Sequence, residues 1–329
     1  MQTKLGKVLV TGAGGFIGSH LVERLVEVSE KVTAFVHYNS RQDIGLLQYT
    51  AQAVLKKVNI VFGELKDPHS VAQAVRGQDI VFHLGALIGI PYSYQNPRDV
   101  IETNTIGTLN VLMAAKEFGI RRVIHTSTSE VYGTAQTHQI NENHPLQGQS
   151  PYSASKIGAD KIVESFANSY RLPVVTIRPF NTYGPRQSMR AVIPTIIAQA
   201  LFQKEIVLGN LDTVRDFTYV GDTVEAFLLG GTVEGVEGQV FNLGSNSEIT
   251  IGNIVQSVCK IIGREKQIRS DGQRKRPEKS EVLRLRSDYT KAKEKLGWQP
   301  TTSFDKGLME TINWIQKNPQ GYLVDQYVI

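Results

Sequence analysis

Cysteine is almost missing from this sequence. Cys259 stands alone among 329 residues, which excludes an intramolecular disulfide and any zinc site built on paired cysteines, and it fits a reducing cytosol. The 7 histidines never fall at H-x-x-x-H or similar ligand spacing, so no metal is expected. No stretch reaches the roughly 18 consecutive apolar residues that a membrane span requires. Met1–Lys7 runs straight into a strand-like segment with no secretory pattern, and the expected location is the cytoplasm. Charge imbalance is small, with 36 Lys and Arg against 31 Asp and Glu, and 41% of residues are hydrophobic. Disorder would need fewer apolar residues and more net charge, so the composition describes a globular chain of one large or two smaller domains.

The net charge of +5 is unevenly placed. Lys260–Lys295 holds 13 Lys and Arg against 6 Asp and Glu, a local +7 on a body of −2. Such a segment suits an anionic partner or a solvated face. Nucleic-acid binding would call for stacking aromatics or a helix presenting the charges, and neither accompanies the segment.

Short, nearly all-apolar runs recur at Lys7–Val10, Lys31–Val36, Asn59–Phe62, Asp79–His83, Arg122–His125 and Val174–Ile177. Helical patterns separate them, through Leu21–Val28 and around 69–76, 97–118 and 152–170. Strands of this kind alternating with helices predict an α/β fold, a doubly wound parallel sheet covered on both faces. After Arg178 the alternation weakens. Helices are expected near 191–203, 251–262 and 304–317, with strand-like pieces at 206–208, 217–219 and 239–243. The reading is a nucleotide-binding domain over 1–180 and a smaller C-terminal α/β substrate-binding lobe over 181–329, with 217–245 able to rejoin the large sheet.

Gly12, Gly15 and Gly18 follow the first strand and open a helix at G-x-x-G-x-x-G spacing. Glycine lets the backbone turn tightly and approach a pyrophosphate at the positive end of the helix, so a dinucleotide is expected there, as in a Rossmann fold. The second strand of such folds normally ends in an acid that binds ribose hydroxyls. Here Val36–Arg41 carries none. His37, Ser40 and Arg41 could accept a 2′-phosphate or form a solvated loop, so NAD versus NADP stays open with a lean to NADP.

Pro151–Lys156 places Tyr152 and Lys156 four residues apart on one helix face. A nearby ammonium favours the phenolate, which would let Tyr152 accept a hydroxyl proton. Thr126–Gly133 lies just past the fifth strand, at the carboxyl edge where such sheets bind ligands.

These residues resemble an extended short-chain dehydrogenase/reductase of the nucleotide-sugar-modifying group. The similarity spans the chain: Thr11–Gly18, His83–Ala86, Thr128 with Tyr152 and Lys156, Arg178–Pro185, Arg215–Val220, and Asp288 through Trp298. It implies a catalytic set of Thr128, Tyr152 and Lys156, with Tyr152 taking the sugar 4-hydroxyl proton while hydride leaves C4. Cofactor contacts are implied at Gly12, Gly15, Phe16, Ile17, Gly18, His37, Arg41, Asp67 (near the adenine), Leu84 and Lys156. Substrate contacts are implied at Ser129, Asn181, Arg215 and Arg276, the arginines suiting a diphosphate. It further implies a homodimer through helices 97–118 and 152–170.

A 4-keto sugar can be reduced on its other face, lose a C6 carboxylate, or lose water across C5–C6. The last route needs a base for the C5 proton. Glu130 occupies a position where simple 4-epimerases of the family generally lack an acid. Thr128-Ser129-Glu130 resembles GDP-mannose 4,6-dehydratases and also UDP-glucuronate decarboxylases. Arg276–Val282 is similar to the Arg-Pro-x-Glu-Val segment of GDP-sugar dehydratases, with two extra residues. Gly89–Tyr94, Glu130–Gly133, His144–Tyr152 and Arg178–Gln187 are similar to the GDP-N-acetylglucosamine 4,6-dehydratases of legionaminic acid biosynthesis. The expectation is a 4,6-dehydratase with a tightly bound, recycled NAD(P); decarboxylase and epimerase are the alternatives. A cofactor-binding sensor is the rival from another class, though such proteins typically lose the Tyr–Lys pair.

Overall fold

The computed structural model describes residues 5–271 and 284–322. Thirteen strands are formed among them: β1 (Leu5–Thr11), β2 (Ser29–His37), β3 (Val58–Gly63), β4 (Ile80–His83), β5 (Arg122–Thr126), β6 (Val174–Pro179), β7 (Asn181–Tyr183), β8 (Glu205–Leu208), β9 (Val214–Arg215), β10 (Phe217–Tyr219), β11 (Val240–Leu243), β12 (Ile249–Thr250) and β13 (Gln267–Ser270). The helices are α1 (Phe16–Val28), α2 (Gln52–Leu55), α3 (Pro68–Val75), α4 (Ile90–Gln95), α5 (Pro97–Ile101), α6 (Gly107–Glu117), α7 (Pro151–Tyr170), α8 (Val192–Phe202), α9 (Val220–Thr232), α10 (Ile251–Ile262), α11 (Thr290–Leu296) and α12 (Phe304–Lys317).

Seven strands form one parallel sheet in the order β11-β6-β5-β4-β1-β2-β3. The doubly wound expectation is met. Its apolar strands are covered on both sides, and alternation along each strand divides their side chains between two cores. Val8, Val10, Phe82, Ile124, Ile177 and Phe241 pack with residues of α1, α9 and α11 on one face. Leu9, Val81, Val123 and Val174 pack with α3, α6 and α7 on the other. A third core gathers Ile193, Ile197, Ile206, Phe217, Ile254 and Leu308 in the C-terminal lobe. The chain winds outward from β1 through β3, then resumes at β4 on the other side. The crevice at the carboxyl ends of β1 and β4 is therefore the switch point where such sheets bind ligands.

Three local features complete the frame of the site. The helix expected over 97–118 is interrupted by a π-turn at Glu102–Ile106. There the Asn104 side chain accepts from Leu87 N (2.7 Å) and donates to Leu87 O and the Ser155 hydroxyl (both 2.9 Å). Such bulges often mark functional sites. β11 extends the large sheet beside β6, whereas β10 pairs with β7 in a separate two-stranded ribbon. Trp298 follows the left-handed Gly297 that ends α11, is 2% exposed, and donates from Nε1 to Asp222 O at 2.8 Å. Among the described residues, no helix is long and apolar enough to cross a membrane.

Candidate active site

One cavity of about 1120 Å³ opens along the switch point and runs on past Phe180 and Ile193 to Phe217 and Ile251. Gly12, Gly15, Phe16, Ile17, Gly18 and Leu84 all line it. The glycines are needed sterically. Gly12 sits at φ +68°, where a Cβ would lie 2.7 Å from Gly85 N, and a Cβ on Gly18 would lie 2.2 Å from Gly12 O. This bare backbone at the start of a 13-residue helix fits a dinucleotide pyrophosphate.

Beyond β2 the wall is more acidic than the sequence suggested. His37 and Arg41 line the cavity, but so do Asp43 and Glu64. His37 Nε2 is paired with Glu64 Oε2 at 2.9 Å, and Asp43 Oδ1 accepts from Gly45 N at 2.7 Å. The His37 imidazole is thus engaged by a carboxylate, which weighs against a 2′-phosphate there.

Asp67 is not among the residues that line the cavity. Its carboxylate caps α3, accepting from His69 N (3.0 Å) and Ser70 N (3.2 Å), while Glu64 and Leu65 of the same loop line the cavity. The signal was visible in sequence, because Asp followed by Pro is an N-cap followed by a first helical position.

At the end of β5 the structure brings Thr128, Glu130 and Tyr152 into the same wall. Thr128 opens a short 3₁₀ turn and its hydroxyl accepts from Glu130 N at 3.2 Å. That turn sinks Ser129, Val131 and Tyr132 into the protein. Ser129 is 3% exposed and lies outside the cavity wall, so its expected substrate contact is not supported by its position.

Tyr152 and Lys156 share the inner face of α7, both buried. Burial raises the Tyr152 phenol above its ordinary pKa; a hydrogen bond with Thr128 opposes this, and the charges of Glu130 and Asp160 reinforce it. Burial lowers the Lys156 ammonium to about 8, with Asp160 pulling it back up. Lys156 Nζ donates to Thr126 O at 2.7 Å. The expected depression of Tyr152 by Lys156 is therefore not what the protein alone provides. Desolvation of a neutral phenol is the stronger effect.

Asn181 and Arg215 line the far end of the cavity, with Phe180, Thr182, Gln187 and Phe217. Asn181 Nδ2 donates to Asp216 O at 3.1 Å, and Arg215 is buried in β9 with its guanidinium donating to Val214 O at 3.0 Å. Between them Asp216 is a buried hub whose carboxylate accepts from Ser245 N and Oγ, Asn246 N and Ser287 N. Gly244 must be glycine here, since its Cβ would meet Ser287 Cβ at 2.1 Å and Asp216 Oδ2 at 2.7 Å. Arg276 lies outside the described residues.

A glycine cradle at the switch point of a doubly wound sheet, with a buried Tyr–Lys pair beside Thr128, defines the short-chain dehydrogenase/reductase class. Within it, the chain belongs to the GDP-mannose 4,6 dehydratase family, whose model matches residues 9–311. It is 31% identical to a dTDP-glucose 4,6-dehydratase of Xanthomonas campestris, over 97% of this chain and 96% of the relative. It is 32% identical to a UDP-N-acetyl-alpha-D-glucosaminuronate decarboxylase of Bacillus cytotoxicus, over 94% of this chain and 98% of the relative. Among solved structures it superposes on the UDP-glucuronic acid 4-epimerase of Bacillus cereus, in complex with UDP-glucuronic acid and NAD. That match has TM-score 0.87 and 26% identity over 95% of this chain and 99% of the other.

Proposed function

We propose that this protein is a nucleotide-sugar 4,6-dehydratase that binds a recycled nicotinamide dinucleotide and acts on a GDP-hexose such as GDP-N-acetylglucosamine. The observation that carries the reaction is Glu130. Its carboxylate lines the cavity with Thr128 and Tyr152 and is close enough to raise the Tyr152 phenol. Held by its pyrophosphate in the glycine cradle, the dinucleotide would supply through its nicotinamide a reversible two-electron acceptor. Tyr152 takes the proton of the 4-hydroxyl, and Thr128 holds the phenol oxygen towards it. Glu130 then removes the C5 proton, made acidic by the adjacent C4 carbonyl. With Ser129 turned inward, Glu130 is also the acid at hand for the departing C6 hydroxyl, so the C5 proton leaves within the water. Atoms balance over the cycle: the 4-hydroxyl proton and the C4 hydride leave, the C5–H and C6–O bonds break as one water forms, and the hydride would return to C6 with a proton to C5, leaving the cofactor oxidised and a 4-keto-6-deoxy sugar.

The dinucleotide proposed is NAD rather than NADP. His37 is engaged by Glu64, and Asp43 adds a second carboxylate to the same region of the wall. The guanine base and N-acetyl sugar rest on the resemblance of Gly89–Tyr94, Glu130–Gly133, His144–Tyr152 and Arg178–Gln187. From the first of these segments, Ile90 and Pro91 line the cavity. We also propose a homodimer through the helices that carry Ile101, Ile106 and Met113, apolar side chains left 45%, 42% and 55% exposed.

The test is incubation of the purified protein with GDP-, UDP-, dTDP- and CDP-sugars, followed by mass spectrometry. Loss of one water from a GDP-sugar is expected. An isomeric product would replace the reading with epimerisation, and loss of carbon dioxide from a uronic acid with decarboxylation. Titration with NAD and NADP decides the cofactor, and light scattering decides the dimer.

A further inference from the structure

Directly beneath the Tyr152–Lys156 face lies a buried carboxylate that the reaction does not touch. Asp160 sits one helical turn past Lys156 on α7 and is 6% exposed. Its Oδ1 accepts from His125 Nε2 at 3.0 Å. Its Oδ2 accepts from the Ser127 hydroxyl at 2.7 Å and from Arg178 Nη2 at 2.9 Å. Arg178 Nη1 in turn donates to the Tyr132 hydroxyl at 2.8 Å, which donates to Asn242 Oδ1 at 2.7 Å. One side chain thus ties the catalytic helix to β5, to the Thr126–Thr128 wall of the cavity, and through Arg178 to β6.

We infer that Asp160 is a positioning residue which, from behind the helix, sets the pH range in which the Tyr152–Lys156 pair works. The inference rests on Tyr152 acting as the base proposed above. The charged and titratable groups around the carboxylate are His125 on β5, Arg178 on β6, Tyr152 and Lys156 on its own helix, and Glu142, His144, Lys161 and Glu164, which share a second cavity with it; His83 on β4 stands beyond His125, and Glu130 faces Tyr152 from the cavity side. Hydrogen bonds from His125 and Ser127, with the charge of Arg178, overcome burial and hold Asp160 ionised, with a pKa of about 2. Its negative charge raises both Tyr152 and Lys156. His125 and His83 are both lowered by burial and stay neutral near pH 7, so neither adds a competing charge. Arg178 stays charged whatever Asp160 does.

Catalysis by the pair needs Tyr152 able to lose a proton and Lys156 still holding one. The profile is therefore bell-shaped, its two limbs set by the coupled titration of the pair rather than by either residue alone. Removing the Asp160 charge lowers both apparent pKa values. Both limbs of the profile move to lower pH together, by about one unit each for an ionic neighbour removed at this depth. A purely structural role would scale the rate down and leave the limbs in place.

The experiment compares pH–rate profiles of wild type, Asp160→Asn and Asp160→Glu at saturating sugar nucleotide. Asp160→Asn should shift both limbs acidward, and Asp160→Glu should restore their position. If Asp160→Asn does not fold, because Arg178 is left buried without its partner, the double variant Asp160→Asn with Arg178→Gln removes both charges and should shift both limbs in the same direction by a smaller amount, because loss of the Arg178 charge partly offsets that of Asp160. Unshifted limbs in a folded variant overturn the inference. Survival of turnover in Tyr152→Phe would instead overturn the catalytic reading beneath it, so the two failures are distinguishable.

Discussion

Replacing Glu130 by Gln tests the reaction at its branch point. The amide matches the carboxylate in size, and the turn it sits on is held by backbone: Glu130 N donates to Thr128 Oγ1 at 3.2 Å, a bond that Gln keeps. The variant should therefore fold and bind substrate as before. Glu130 is the first of two charges that raise the Tyr152 phenol, so its loss eases removal of the 4-hydroxyl proton. Only C5 proton removal loses its base. A positioned general base contributes about 10²- to 10⁴-fold, or about 2.7 to 5.4 kcal/mol of barrier. Turnover should drop within that range while reduced nicotinamide accumulates, seen by its absorbance after rapid mixing with substrate. Solvent deuterium, where wild type incorporates it at C5, should no longer enter. Turnover within about tenfold of wild type, with no build-up of reduced nicotinamide, would refute Glu130 as the base.

Other expectations follow from the cradle and the core. Gly18→Ala, whose Cβ would meet the Gly12 carbonyl at 2.2 Å, should lose most dinucleotide affinity by calorimetric titration. Gly15→Ala, at 3.1 Å from the same oxygen, should lose less, and the reverse order would contradict the cradle geometry. Trp298→Ala should destabilise the fold by about 3–5 kcal/mol in urea unfolding, since a buried indole and its hydrogen bond to Asp222 O are lost together; a change under about 1 kcal/mol would mean that α11 carries little of the core. Burial lowers His83 and His125 below 6.5, so the unfolded chain binds the extra protons. Their contribution to stability is complete above about pH 7 and is lost as pH falls through 6.5 and below. Asp216 and Glu142, raised by burial, act with the opposite sign at lower pH. Melting temperature should fall between about pH 7 and 6, and a flat profile there would contradict the buried neutral histidines.

The large sheet was readable because its strands are covered on both faces and so are written almost wholly in apolar residues. Val8–Val10 and Ile80–Phe82 admit no other use. The glycine loop and the Tyr152–Lys156 pair were readable because their spacing is local, fixed by one turn or one helix face, whereas Thr128 was reached only through the family resemblance. What depends on distant contacts was not. Asn242 gives β11 a polar interruption that makes sense only once its amide meets the Ile140 carbonyl and the Tyr132 hydroxyl. Whether Ser129 or Glu130 faces the cavity depends on one short turn, and the acidity near His37 comes from Asp43 and Glu64, on other segments. Asp160 is given its role by partners on β5 and β6, far from it in the chain.

The placement of β11 has a consequence for how such a protein can change. The chain leaves the large sheet after β6, begins the other lobe, and returns through β11 to complete the sheet edge. A lobe threaded in this way cannot be traded as a cassette, because excising it removes a strand and the helix α9 from the half that holds the glycine cradle. Cutting the gene near residue 180 would yield two fragments with bare edges rather than two proteins. New substrates must then be acquired by replacing side chains along the shared cavity, with the framework inherited whole.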